Sequence, residues 1–178
     1  MGRVSVPAVT QSRELNGRES DGESDGDETF QRSGIWRTLG YRRLGWSQGS
    51  ATVEWRASED YCFPTAGGPV VQGGLVTALL DAAMGGACWT TLGADEVFLT
   101  ADLRVEFLRS TRPGVLRATG EVVRRTRRVV FCAAQLVDAD GTLLATSRCT
   151  QIVLPGQGPA GRGIPSEVDS GPPQDARG

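Results

Sequence analysis

The chain has 178 residues, 39% of them hydrophobic, so it has the size of one domain and enough apolar side chains to form a core. Its 19 basic residues are all Arg, and they stand against 21 acidic residues and no His, for a net charge of −2. The lack of His excludes Ser-His-Asp and Cys-His triads and His-ligated zinc, and we expect no metal site. The small net charge gives no broad basic surface for duplex nucleic acid, so we expect no nucleic-acid partner.

Both ends of the chain predict disordered tails. Residues 1–33 contain few large apolar side chains, and the segment from Glu19 to Glu28 holds six acidic residues and no basic one. Residues 155–178 hold five Pro and six Gly without an aromatic residue. The folded domain is therefore predicted over residues 34–154. The first residues lack the apolar core of a signal peptide and the four Cys are widely spaced, so we expect a cytoplasmic protein with unpaired thiols.

A nearly uncharged run from Val70 to Trp89 dominates the middle of the chain. Its apolar residues recur too densely for a one-sided helix, which predicts a long central helix that is buried on all sides. Gly73 and Gly74 mark the expected start of this helix. The run is long enough to span a membrane, but its four Gly and the acidic Asp81 at its centre argue against a span. We expect no membrane association.

Asp81 is the only charged residue of this run, and it lies too far from the helix start to be an N-cap. Burying an unpaired charge is unfavourable, so a carboxylate in such a place is typical of a functional site. On a helix, Thr77, Asp81 and Gly85 fall on one stripe of small residues around the acid. The unpaired N–H groups of a helix start can hold a developing negative charge. The pattern predicts a base at Asp81 and an oxyanion site at Gly73 and Gly74.

Five segments have the Val, Leu, Phe and Thr content or the alternation of strands. They are residues 51–56, 98–109, 115–124, 128–138 and 143–154. Turns at 113–114, 124–128 and 138–141 connect the last four, which predicts an antiparallel meander. Residues 36–46 have no clean period and predict a short helix followed by a loop. The expected fold is α+β, with an antiparallel β-sheet wrapped around one long central helix.

One motif resembles a known family. The segment Val71-Gln72-Gly73-Gly74, with Asp81 seven residues after Gly74 and Ala83-Met84-Gly85 behind it, resembles the signature of the PaaI-type acyl-CoA thioesterases. Residues 100–109 resemble the strand that follows the helix in that family, and the resemblance covers roughly residues 39–154. It implies a hotdog fold and hydrolysis of an acyl-CoA thioester, with no cofactor other than the CoA of the substrate.

The resemblance also implies roles for particular residues. Asp81 is expected to act as general base or nucleophile, the Gly73 N–H as oxyanion donor, and Gln72 and Thr100 as assisting residues. The expected substrate-binding residues are Gly74, Arg109, Thr126, Arg127 and Arg128. The last three lie in a basic turn, and Arg forks bind the kind of phosphate that CoA carries.

Other interpretations of these residues stay open. The run Arg124–Arg128 is also typical of an ordinary solvated turn, and Thr100 of an ordinary strand. The resembling family usually carries an Asn in the loop before the helix and often a His in place of Gln72, and neither is present here. The alternative function is therefore a hotdog module that binds acyl-CoA without cleaving it. The resemblance further implies a homodimer, or a dimer of dimers, in which each site combines the helix start of one chain with the acid of the other.

Overall fold

The computed structural model describes residues 33–156. Apart from their innermost residues, the predicted tails at 1–33 and 155–178 lie outside the described residues, so both predictions stay untested. Within residues 33–156, no helix combines the length and the apolar character needed to cross a membrane.

The described residues form two helices, eight strands and one short 3-10 turn at Glu59–Tyr61. The helices are α1 (Gly34–Leu39) and α2 (Gly73–Trp89). The strands are β1 (Arg42–Ser47), β2 (Ser50–Ala57), β3 (Cys62–Phe63), β4 (Val70–Val71), β5 (Glu96–Phe107), β6 (Gly114–Arg125), β7 (Val129–Val137) and β8 (Leu143–Pro155).

Six strands form one antiparallel sheet in the order β1-β2-β6-β7-β8-β5, and β3 and β4 pair separately just before α2. Helix α2 packs on one face of this sheet, mainly against β6, β2 and β7. An antiparallel sheet wrapped around one long helix is the hotdog fold. The predicted α+β architecture and the predicted helix start at Gly73 are confirmed.

The backbone of α2 lies directly against β6. A Cβ atom added at Gly120 of β6 would stand 2.4 Å from the carbonyl oxygen of Ala83 and 2.7 Å from the nitrogen of Met84. No side chain fits in that space, so glycine at this position permits the close approach. This contact sets the distance between α2 and the sheet. It involves Ala83, which lies two residues after Asp81.

The predicted four-strand meander is only partly right. Strands β6, β7 and β8 follow one another as predicted, but β5 pairs with β8, and β6 pairs with β2. The turn proposed at Pro113-Gly114 does not fold β6 back onto β5, because the connection between them crosses to the start of α2. There the Val71 N–H donates to the Thr111 carbonyl at 2.9 Å.

The loop predicted before residue 46 is wrong. The short helix exists as α1, but the residues after it form the edge strand β1. The pairing of β1 with β2 shifts register between Arg43 and Gly45, and such a bulge breaks the alternation of side chains. This irregularity explains why the sequence shows no period there. Trp46 of β1 packs against Gly86 of α2, where an added Cβ would meet the indole ring at 2.9 Å.

Helix α2 is not buried on all sides, which corrects the prediction. Residues Val76, Leu79, Ala83 and others facing the sheet are buried, but Gly74 is exposed, and Asp81 and its neighbours on that flank are half-buried. This flank borders β5, the edge strand of the sheet. The side of α2 that carries Asp81 is therefore partly exposed to solvent.

All four cysteines are free, as predicted. Cys88, Cys132 and Cys149 are buried, and Cys62 is half-buried in β3. Burial raises the pKa of Cys88 to about 12. This thiol therefore stays neutral near pH 7.

Candidate active site at the open flank of α2

Asp81 lies at the middle of α2 with its carboxyl group directed towards β5. The Thr100 hydroxyl donates a hydrogen bond to Asp81 Oδ1 at 3.2 Å. Burial raises the pKa of Asp81, and the bond from Thr100 partly opposes this rise. A half-buried carboxyl group with a raised pKa and a fixed orientation has the properties of a catalytic base.

Strand β5 runs beside this flank of α2 between Gly85 and Gly73. An added Cβ at Gly85 would lie 3.4 Å from the Phe98 ring, and one at Gly73 would lie 3.3 Å from the Phe107 ring. Thr100 stands between these two contacts, opposite Asp81. The pairing of β5 with β8 shifts register between Thr100 and Asp102. Bulges re-aim side chains, and this one directly follows the threonine that contacts the acid.

The start of α2 presents backbone N–H donors beside the residue that caps the helix. Gln72 is the N-cap, and its Oε1 accepts a hydrogen bond from the Leu75 N–H at 3.1 Å. Gly74 lies under this amide group, since an added Cβ would be 2.8 Å from Gln72 Oε1. As the first N–H groups of the helix, those of Gly73 and Gly74 have no intrahelical acceptor. Gln72 thus has a structural bond already, and its assisting role in catalysis stays a prediction.

A cavity of about 430 Å³ opens beside Gly73. Phe63, Val70 and Phe107 contribute to its lining, and so does Arg109. The Arg109 guanidinium donates to the Leu143 carbonyl at 2.7 Å, which holds it in place. The volume lies within the range of small-molecule pockets.

One chain does not bring the predicted acid and the predicted oxyanion donor together. Gly73 and Asp81 are separated by about two turns of α2, roughly 12 Å along its axis. Asp81 and Thr100 form one group, while Gly73, the cavity and Arg109 form another nearer the helix start.

The predicted phosphate-binding turn joins β6 to β7. Thr126 closes it, with its hydroxyl donating to the Val129 carbonyl at 3.0 Å. Arg127 and Arg128 are exposed, and neither forms a salt bridge within residues 33–156. Both guanidinium groups are therefore available to an anion.

Arg125 differs from its neighbours in the turn, which the sequence did not reveal. Its Nη2 forms a salt bridge with Glu96 at 2.5 Å, and its Nη1 bonds to the Thr91 carbonyl at the end of α2. This arginine links β6 to the residues between α2 and β5. The guanidinium group of Arg125 is therefore already paired within the fold.

The basic turn and the acid lie towards the same end of the sheet. Val130 of β7 and Thr100 of β5 both pair with Gln151 of β8, one from each side. The turn ends at Arg128, just before β7 begins, whereas Arg109 follows the far end of β5. The predicted substrate-binding residues thus fall into two groups at opposite ends of β5.

The sequence model of the thioesterase superfamily matches residues 68–145, which include α2 and the strands β5, β6 and β7. A candidate esterase of Saccharolobus solfataricus is 29% identical over 119 residues, 66% of this chain and 81% of that protein. The solved structure of a candidate thioesterase of Ralstonia eutropha, described as related to phenylacetic acid degradation, is similar to this chain with a TM-score of 0.65 and 26% identity. The match covers 72% of this chain and 99% of that one. The PaaI protein of E. coli, from the phenylacetic acid degradation operon, has a TM-score of 0.68 at 18% identity, covering 75% and 93%.

The fold and the segment at residues 68–145 are similar to those of the hotdog thioesterases. Within that class, the resemblance to the PaaI type is confirmed. Thioester or ester hydrolysis is the general activity that these similarities support.

Proposed function

We propose that the chain is an acyl-CoA thioesterase that releases a free acid and CoA, using no metal and no further cofactor. The observation that carries this proposal is the half-buried Asp81 carboxyl group, hydrogen-bonded to Thr100 on the open flank of α2. Burial keeps its pKa above the usual value, which suits a base or a nucleophile. The free thiols fit a reducing compartment, and we place the protein in the cytoplasm.

In the proposed reaction, Asp81 takes a proton from water and the hydroxide oxygen bonds to the thioester carbon. The electron pair moves to the carbonyl oxygen, where the Gly73 N–H stabilises it. When the oxyanion collapses, the carbon–sulfur bond breaks, and the CoA thiolate takes up the proton held by Asp81. General base action of this kind contributes about 10²- to 10⁴-fold in rate. In the alternative route, Asp81 attacks the carbon directly, the carbon–sulfur bond breaks as CoA leaves as the thiolate, and water then hydrolyses the resulting anhydride and supplies the proton that the thiolate takes up.

The first experiment measures thiol release from acyl-CoAs of graded length and aromaticity, with wild type and Asp81→Asn. Loss of about 10²-fold or more in kcat is expected for the variant. Turnover of the variant at the wild-type rate would refute the assignment. A single turnover in heavy-oxygen water separates the two routes. Solvent oxygen found in the Asp81 carboxyl group identifies the nucleophile, because a general base never exchanges its oxygen atoms.

The proposed active unit is a dimer, alone or paired with a second dimer. Two observations support it: Asp81 and Gly73 are too far apart within one chain, and the edge strand β5 and its end expose large apolar side chains. Leu99 is 62% exposed and Phe107 54% exposed. In the proposed arrangement, the helix start of one chain faces the acid of its twin. Sedimentation that shows only a folded monomer at micromolar concentration would exclude the shared site.

Gly73 offers a matched pair of variants for the oxyanion donor. Proline is accepted at the first position of a helix; it adds its ring carbons and removes the N–H, while Gly73→Ala also adds a Cβ but keeps the N–H. Gln72 has φ −60° and ψ 127°, which is compatible with a following proline. We expect Gly73→Pro to lose about 10²-fold or more in kcat and Gly73→Ala to lose much less. Equal losses would show that the N–H is not the donor.

The same variant tests whether the site is shared. If Asp81→Asn and Gly73→Pro chains are mixed and allowed to exchange, each mixed dimer has one site with both changes and one intact site. About a quarter of all sites then recover at random pairing. If each site lies within one chain, no mixture recovers activity. Native mass spectrometry of the mixture, with one of the two chains isotope-labelled, verifies that mixed dimers have formed.

Arg127 and Arg128 are proposed to bind the phosphates of CoA, with Thr126 fixing the turn that carries them. Their exposure supports this role, as does the lack of a salt bridge to either of them from the described part of the chain. Arg109 and Gly74 are proposed to contact the substrate at the cavity. Substrate recognition is therefore divided between two ends of β5.

One observation favours the second candidate function, an acyl-CoA-binding module without turnover. The Oε1 of Gln72 accepts from the Leu75 N–H, so this oxygen is not free to accept from a catalytic water in this conformation, and only the Nε2 group remains to donate to a thioester carbonyl. Binding of acyl-CoA measured by calorimetry, together with no thiol release across the whole panel, would support the module. Steady thiol release excludes it.

A further inference from the structure

Gln151 of β8 is one of the largest fully buried side chains of the core. Its Nε2 donates to Cys149 Sγ at 3.3 Å, but its Oε1 is buried and has no hydrogen-bond partner among the described residues. Such an unsatisfied buried acceptor destabilises a fold by about 1–3 kcal/mol. A core position that retains this polar group despite the destabilisation calls for a functional explanation.

The position of Gln151 supplies one. Gln151 pairs directly with Thr100 across the β5–β8 ladder, so the two side chains share a face of the sheet with Cβ atoms about 4.5–5.5 Å apart. Thr100 is the residue that bonds to Asp81. Gln151 thus lies beside the pair formed by the acid and the hydroxyl.

Cys149 gives a second indication of the same neighbourhood. It is two residues before Gln151 and therefore faces the same side of the sheet. A hydrogen bond with Cys132 lowers the pKa of the Cys149 thiol, and the negative charge of Asp81 opposes that lowering. The residue that bonds to the Gln151 amide is thus close enough to Asp81 to respond to its charge.

We propose that Gln151 is a positioning residue of this site, whose Oε1 accepts a hydrogen bond from the water that Asp81 deprotonates. The inference rests on the hydrolysis proposed above. Water has two O–H groups: one points to the Asp81 carboxylate and the other to Gln151 Oε1. Its lone pair is then directed at the thioester carbon. The proton passes to Asp81, and Gln151 keeps the second O–H in place while the new carbon–oxygen bond forms.

A purely structural role makes a different prediction. If Gln151 only fills the core, replacing it with an apolar side chain of similar size removes an unsatisfied acceptor and leaves kcat unchanged. The test therefore compares Gln151→Met and Gln151→Leu with wild type. Ser147→Ala is the control, because Ser147 is another buried polar residue of β8, bonded to the Arg104 carbonyl at 2.9 Å and farther from Asp81.

Thiol release and thermal melting are measured for all four proteins. We expect both Gln151 variants to lose about 10- to 10²-fold in kcat, the scale of a misplaced reactant, with KM within about twofold and melting temperature equal or higher. Ser147→Ala should melt lower and keep its kcat. If either folded Gln151 variant retains wild-type kcat, the inference is wrong.

A second readout needs no turnover and separates this inference from the proposed function. The Asp81 carboxyl carbon is titrated by NMR in wild type and Gln151→Met without substrate. A water held between the two groups stabilises the carboxylate, so its loss raises the pKa of Asp81 in the variant. An unchanged titration overturns the inference. If Asp81→Asn retains full thiol release, the proposed function fails, while the titration still decides the place of Gln151.

Discussion

Replacing Gly120 by alanine should strongly destabilise the fold. The added Cβ would stand 2.4 Å from the Ala83 oxygen, 2.5 Å from the Ala83 carbonyl carbon and 2.7 Å from the Met84 nitrogen. All three atoms belong to the backbone of α2, so no side-chain rotation relieves the contact. The helix must move outward, and with it Asp81.

Overpacking of a well-packed core costs about 1–3 kcal/mol, and a clash with helix backbone belongs at the upper end. For a chain of this size, each kcal/mol lowers the melting temperature by roughly 2–4 °C, so we expect a fall of about 6–12 °C. Scanning calorimetry measures this shift directly. The change in kcat then reports how far the displaced helix disturbs the Asp81–Thr100 pair.

Gly45→Ala in β1 is the matched control. It makes the same chemical change in a strand of the same sheet, but an added Cβ meets no atom within 4 Å. We expect its melting temperature to stay close to wild type or to rise slightly, since alanine restricts the unfolded chain. The reasoning about backbone contact is refuted if Gly120→Ala and Gly45→Ala melt together.

Asp81→Asn should lower kcat but raise the melting temperature at pH 7, because burial raises the pKa of this carboxyl group and its charged form therefore destabilises the fold. The gain in melting temperature should vanish below the ordinary pKa of Asp, where the side chain at position 81 is uncharged in both proteins. Thr100→Val removes the hydrogen bond that lowers the pKa of Asp81, so the acidic limb of kcat/KM should move to higher pH, and an unmoved limb would contradict the contact. Arg127→Gln combined with Arg128→Gln should raise KM for acyl-CoA and weaken its salt dependence, but should leave KM unchanged for an acyl-pantetheine without phosphates. Arg104→Gln, which removes an arginine paired with Glu106, is the control and should change neither KM.

The local features of this fold could be read from the sequence because they depend on neighbouring residues. The start of α2 at Gly73 follows from a glycine pair before a dense apolar run, and the strand segments follow from their composition. Strand β1 was missed because its bulge between Arg43 and Gly45 destroys the period on which such predictions depend. The position of β5 was missed for a different reason. Which edge a strand joins depends on partners far away in the chain, and the turn residues beside it do not specify them.

The candidate site was predictable only in part. Asp81 was evident as a lone charge in an apolar run, and its contact with Thr100 agrees with the roles assigned to both residues by resemblance. Its half-burial depends on β5 being an edge strand, which no local pattern reveals. The distinction between Arg125 and Arg127 also arises from tertiary structure, since Glu96 reaches only the first of them.

The placement of β5 also bears on how the protein is made. Among the strands of residues 33–156, β5 has a single neighbour, β8, which is the last of these strands to leave the ribosome. Until β8 is complete, a nascent chain exposes β5 as an unpaired apolar ribbon, the kind of segment that chaperones bind. Thr100 has no ladder to hold it opposite the acid during that time. The nascent chain therefore lacks the hydrogen-bonded pair of Asp81 and Thr100 until β8 pairs with β5.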